Sequence, residues 1–135
     1  MRQAVIDTNV YVHAIVEESP LNANARKILN EIELWITPVI VLYELTWVFR
    51  KLKLSLSEIV DIMFSIIENP RVKVVADNGS HVKRALTILK NEKLNVAMFN
   101  DKVILSTAMY LNLPLATFDS ELRRQAKKRG LPLLP

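Results

Sequence analysis

Ala4-Val5-Ile6-Asp7-Thr8-Asn9, at residues 4–9, is a short apolar run that stops on a carboxylate. The arrangement returns at Leu115-Ala116-Thr117-Phe118-Asp119. Runs this short and this rich in β-branched or apolar residues read as strands. Working outward, strands are expected at 4–7, 34–36, 72–75 and 115–118, with a short terminal strand within Leu131-Pro132-Leu133-Leu134. Longer stretches of helical spacing separate them, at about 10–16, 21–32, 79–92, 100–112 and 120–129. Thr37-Pro38 reads as the N-cap and first position of a helix running to about Lys53, since proline there gives up no needed hydrogen bond. Ser55 or Ser57 caps the next helix, which ends near Asn69-Pro70, and Gly130 is placed to end the last helix in a left-handed conformation. Strands alternating with helices imply an α/β fold around a central parallel sheet of about five strands.

The chain has 135 residues, half of them apolar, enough for one domain over 1–135 with a real core. No repeat, low-complexity tract or Gly/Ser linker divides it. With no cysteine, disulfide frameworks and thiol chemistry are excluded. Neither a signal-peptide pattern nor an apolar stretch long enough to span a bilayer is visible, and a soluble cytoplasmic protein without membrane attachment is expected.

Four carboxylates stand in apolar surroundings: Asp7, Glu44, Asp101 and Asp119. No Lys or Arg flanks Asp7, Glu44 or Asp119 in sequence, so each charge is costly to bury unless something positive offsets it, and a divalent metal would do so. Setting these four apart from the 14 Asp and Glu leaves a body dominated by 18 Lys and Arg. An acidic spot on a basic body suits cleavage of a polyanion. Each residue also has a plainer reading. Asp7 and Asp119 can be helix caps, Asp101 can answer its helix macrodipole, and Glu44 can pair with Lys51 or a partner chain. Glu44 resists the plain reading best, because Ile40, Val41, Trp47 and Val48 surround it at one-turn spacing. In an open parallel sheet, ligands bind beyond the carboxyl ends of the strands, where Asp7 and Asp119 both fall.

The ordered set Val5-Ile6-Asp7-Thr8-Asn9, Glu44, Asn100-Asp101 and Thr117-Phe118-Asp119 resembles the PIN domain family, whose common small members are the VapC-type toxin ribonucleases. The resemblance covers essentially the whole chain. It implies a three-layer α/β/α sandwich and a Mg²⁺- or Mn²⁺-dependent endoribonuclease acting on single-stranded RNA. It further implies that Asp7, Glu44, Asp101 and Asp119 form the acidic metal site, Asp7 and Asp101 as direct ligands, with Asn9 and Thr117 supporting them. An antitoxin protein and a second copy of the chain are the implied partners. Lys102 and Leu122 depart from residues common in the family at those positions, which bears on subfamily rather than on catalysis.

For substrate contact, Lys102 beside Asp101 and Arg123 in the basic last helix are the expected residues. The Pro38–Phe49 stretch carries more apolar surface than a small sheet covers, which points to a subunit interface or to burial between helices. His13 and His81 show no metal-ligand spacing and read as helix-face residues. Neither a serine-hydrolase elbow nor a phosphate loop is present. A phosphotransfer module fits poorly, since Asn9 occupies the place of its second acid. A non-catalytic PIN-like domain that binds RNA or protein is the remaining alternative.

Overall fold

The computed structural model describes residues 2–135. Five parallel strands form one sheet: β1 (Gln3–Ile6), β2 (Leu34–Pro38), β3 (Val72–Val75), β4 (Leu115–Ala116) and β5 (Leu133–Leu134). The helices are α1 (Thr8–Ile15), α2 (Asn22–Glu31), α3 (Val39–Lys51), α4 (Leu56–Ile67), α5 (Gly79–Asn91), α6 (Phe99–Leu111) and α7 (Ser120–Lys128), with a short 3₁₀ turn at Val96–Met98. They flank the sheet in the expected three-layer α/β/α sandwich. Ala4, Val5 and Ile6 are all fully buried, as a parallel strand covered on both faces requires.

The strand order is β3-β2-β1-β4-β5. From β1 the chain winds outward through β2 to β3, then crosses to the other side of β1 for β4 and β5. The direction of winding therefore reverses between β1 and β4, and Val5 lies in register with Ile36 on one side and Leu115 on the other. Their carboxyl ends border the crevice where ligands bind in folds of this kind.

Thr37 and Pro38 do not open a helix as expected. Both belong to β2, with Pro38 opposite Val75 and extended at φ −58°, ψ 141°. The Thr37 hydroxyl is committed to Tyr11 Oη at 2.6 Å and is not free to cap. Capping comes instead from the loop after β3, where Asp77 Oδ2 accepts the Ile40 N–H at 3.2 Å and Oδ1 accepts the Thr107 hydroxyl at 3.4 Å. The other boundary differences are small. Ser55, not Ser57, caps α4 in a reciprocal capping box with Glu58. β4 stops at Ala116: the Thr117 N–H still donates to Leu134 at 3.2 Å, but the next N–H, of Phe118, goes to the Asn9 side chain. Gly130 takes the expected left-handed conformation at φ 73°.

On α3, Val41, Leu45 and Phe49 are fully buried while Tyr43 and Trp47 are 63% and 58% exposed. The helix is thus apolar on both its inner and outer faces. Leu56, Val60, Phe64 and Ile67 extend exposed apolar surface along α4. Among the described residues no helix is long and apolar enough to cross a membrane.

Because Asp77 holds the start of α3 from a distant loop, Asp77→Ala is expected to lower stability by about 1 kcal/mol, in line with loss of a helix cap. Chemical denaturation of the two proteins checks this, and equal midpoints would show that the cap is idle.

Candidate metal-binding active site

Asp7 directly follows β1 and is 3% exposed. It caps α1, Oδ1 accepting the Thr8 N–H at 2.7 Å. Its other oxygen accepts the Thr117 hydroxyl at 2.7 Å and the Asn9 amide at 3.1 Å. Asn9 also accepts the Phe118 N–H at 3.0 Å through Oδ1, and the Thr117 hydroxyl accepts the Asp119 N–H at 3.0 Å. One network thereby joins the end of β1 to the end of β4. Capping and site geometry are compatible in Asp7, since the helix takes one carboxylate oxygen and the strand ends take the other.

Glu44, in the second turn of α3, reaches the same cleft. Its Oε1 accepts the Thr8 hydroxyl at 2.6 Å and its Oε2 the Asn100 amide at 3.3 Å. Asp101 lies in the first turn of α6, half-buried, and with Asp7 and Glu44 lines a cleft of ≈ 270 Å³. Asp119 caps α7, accepting the Leu122 N–H at 2.8 Å, and stands outside the cleft lining. Its charge still acts on Asp101.

Burial, opposed by the Thr117 and Thr8 hydrogen bonds and reinforced by the charges of Asp101 and Glu44, pushes the Asp7 carboxyl up to about 7. Burial first, then repulsion from Asp119 and Glu44, raises Asp101 to about 6. In Asp101 the nearby Lys102 charge opposes the rise without cancelling it, and in both groups burial and neighbouring acids outweigh what stabilises the charged form. The donor set is entirely oxygen, the chemistry that Mg²⁺ or Mn²⁺ prefers. Among the described residues no three acidic, histidine or cysteine side chains are grouped to chelate one ion. The residues fit an ion held by one or two carboxylates, Asp7 and Asp101, with water completing its coordination, as Mg²⁺ commonly has.

The two expected substrate contacts are placed elsewhere. Lys102 is 0% exposed, and its Nζ has no hydrogen-bond partner among the described residues. It follows Asp101 in α6, but its side chain enters the protein, and desolvation lowers its pKa. It cannot reach an RNA phosphate from there without a change in conformation. The Arg123 guanidinium donates to the carbonyls of Thr117 at 3.0 Å, Leu134 at 3.3 Å and Pro135 at 3.0 Å, tying β4 to β5. Other cations of the last helix are also paired: Arg124 with Glu121, and Lys128 and Arg129 with Glu92.

Three residues in or beside the cleft escaped sequence reasoning as site members. Thr8 and Asn100 adjoin predicted acids and hold Glu44 from two sides. His13 lines the cleft wall, and the available signal was its position four residues after Asn9, on the same helix face.

The model of the PIN domain family matches residues 4–128. The chain belongs to the PIN domain family. No curated protein sequence matches it, but the fold recurs in solved structures. One is the Mycobacterium tuberculosis VapC20 toxin, described as cleaving the sarcin-ricin loop, at TM-score 0.78 and 13% identity over 90% of this chain and 94% of that one. Rickettsia felis VapBC2, solved bound to a promoter DNA fragment, gives 0.63 and 23% over 97% and 96%. Neisseria gonorrhoeae FitAcB gives 0.70 and 18% over 98% and 96%. This PIN domain thus shares their fold.

Because the Asp7 and Asp101 pKa values are raised on folding, their contribution favours the folded state fully below about 3.8 and is lost as pH rises through about 6 and 7. In EDTA, the wild-type melting temperature is expected to fall between about pH 5 and pH 8 more than that of Asp7→Asn, and Mn²⁺ to restore wild type at the higher pH. Parallel slopes for the two proteins would contradict this. For Lys102→Met, the salt dependence of RNA binding is expected to match wild type, whereas a slope smaller by about one would reveal a phosphate contact.

Proposed function

We propose that this PIN domain is a Mg²⁺- or Mn²⁺-dependent endoribonuclease that cleaves single-stranded RNA and serves as the toxin of a toxin–antitoxin pair. The observation that carries the reading is the convergence of Asp7, Glu44 and Asp101 on one cleft at the sheet's switch point, with Asp7 and Asp101 both raised by burial and repulsion. Asp119 contributes charge from the cleft edge. Asp7 and Asp101 would hold the ion, which when bound would supply positive charge for the phosphate and for the negative charge that builds during cleavage.

The protein's own groups supply orientation. Thr117 and Asn9 fix Asp7, while Thr8 and Asn100 fix both oxygens of Glu44. Hydrolysis of the phosphodiester adds water across the P–O3′ bond: the water oxygen bonds to phosphorus and the 3′-oxygen leaves with a proton. The products carry 5′-phosphate and 3′-hydroxyl ends.

For partners, the exposed Tyr43 and Trp47 on α3 and the apolar stripe Leu56, Val60, Phe64 on α4 suit an amphipathic protein segment or a second copy of the chain. The toxin–antitoxin complexes among the structural relatives favour an antitoxin, and we include homodimerisation in the proposal.

Purified protein, freed of any co-purified partner, is expected to cleave single-stranded RNA with Mg²⁺ or Mn²⁺ and to stop in EDTA, with Asp7→Asn reduced by about a hundredfold or more. Product ends are checked by mass spectrometry. Equal cleavage by wild type and Asp7→Asn, or 2′,3′-cyclic phosphate ends, would overturn the proposal. Tight RNA binding without cleavage in Mn²⁺ would favour a non-catalytic PIN domain.

A further inference from the structure

We infer that His13 is a substrate-contact residue, donating a hydrogen bond from Nε2 to an RNA phosphate oxygen in the acidic cleft; the inference rests on the ribonuclease reading above. An anionic backbone entering among Asp7, Glu44 and Asp101 needs a donor close by. Lys102 is buried, and Arg123 is committed to three carbonyls. The other polar donors of the cleft wall are occupied too: the Thr8 hydroxyl donates to Glu44 and the Asn9 amide to Asp7. Among the described lining side chains, His13 has a ring nitrogen with no hydrogen-bond partner.

The ring is held rather than loose. Ser19 Oγ accepts the Leu21 N–H at 3.1 Å and shares a hydrogen bond with His13 Nδ1 at 2.6 Å, so the ring is anchored through Nδ1 and Nε2 is its unbonded nitrogen. In the tautomer where the Ser19 hydroxyl donates to Nδ1, Nε2 carries the ring N–H and is a donor. The ring also meets Phe118 edge to face, centroids 5.6 Å apart, and the Phe118 N–H is itself pinned to Asn9. His13 is therefore positioned by the same strand ends that position Asp7. An imidazole N–H offers a contact to phosphate where the cleft wall presents no ammonium or guanidinium.

Cleavage kinetics and RNA binding together test this. With Mn²⁺, His13→Ala is expected to raise KM about tenfold with little change in kcat, as loss of one hydrogen bond to a charged group predicts. His13→Gln, which keeps an N–H donor, is expected to recover most of the loss, and Ser19→Ala to lose part of it by releasing the ring. Binding of fluorescein-labelled single-stranded RNA to Asp7→Asn, with and without His13→Ala, reads the contact in the absence of cleavage. The weakening should be uniform across RNA sequences, as for a phosphate contact. An effect confined to one base, a kcat loss without a KM change, no effect at all, or no rescue by His13→Gln would overturn the inference while leaving a cleaving wild type intact. Failure of wild type to cleave, with His13-dependent binding retained, would overturn the nuclease reading and leave the contact standing; loss of both would overturn both.

Discussion

The buried carboxylate of Asp7 is the constraint around which the molecule is arranged. One oxygen ends β1 by capping α1, and the other is hydrogen-bonded by Thr117 and Asn9 across the point where the sheet reverses its winding. A carboxylate this far from water is unfavourable when charged, and hydrogen bonds offset only part of that cost, so its pKa stays raised. The local fold and the chemistry of the cleft consequently share one group. Replacing its ligands would disturb a strand end, a helix start and the position of Phe118 together.

The electrostatic layout follows from that constraint. Negative charge gathers where the strand ends diverge, while Arg123, Arg124, Lys128 and Arg129 turn toward backbone carbonyls, Glu121 and Glu92. The excess of Lys and Arg in the sequence therefore overstates the positive charge available to RNA near the cleft. Lys102 is the sharpest case, because it follows Asp101 in sequence yet its amine is fully buried with no hydrogen-bond partner among the described residues. On the proposed ribonuclease reading, a phosphate-bearing substrate would depend on a bound cation and on donors such as His13.

Much of the architecture was legible because it rests on local rules. Apolar runs of strand length, helix-length spacing between them and capping residues such as Ser55 specify elements through nearest-neighbour geometry. The misreadings occurred where a distant residue supplied the missing bond. Thr37-Pro38 satisfies every local criterion for a helix start, but Tyr11 takes the threonine hydroxyl and Asp77 caps α3 in its place. Likewise 115–118 reads as one strand, but the Phe118 N–H turns to the Asn9 side chain, while the Thr117 N–H still donates to Leu134 and its hydroxyl to Asp7.

The sequence by itself determined the alternation of strands and helices, the carboxylates that apolar surroundings make costly, and the family motif that links them. Chain-local chemistry is sufficient for those, since backbone preference and burial pattern act over a few residues. Only the tertiary structure decided that Glu44 is held between Thr8 and Asn100, that Asp119 stands outside the cleft lining, that Lys102 points inward and that His13 faces the acids. The reason is physical: side-chain direction and available hydrogen-bond partners are set by packing between elements far apart in the chain, which neither residue type nor spacing encodes.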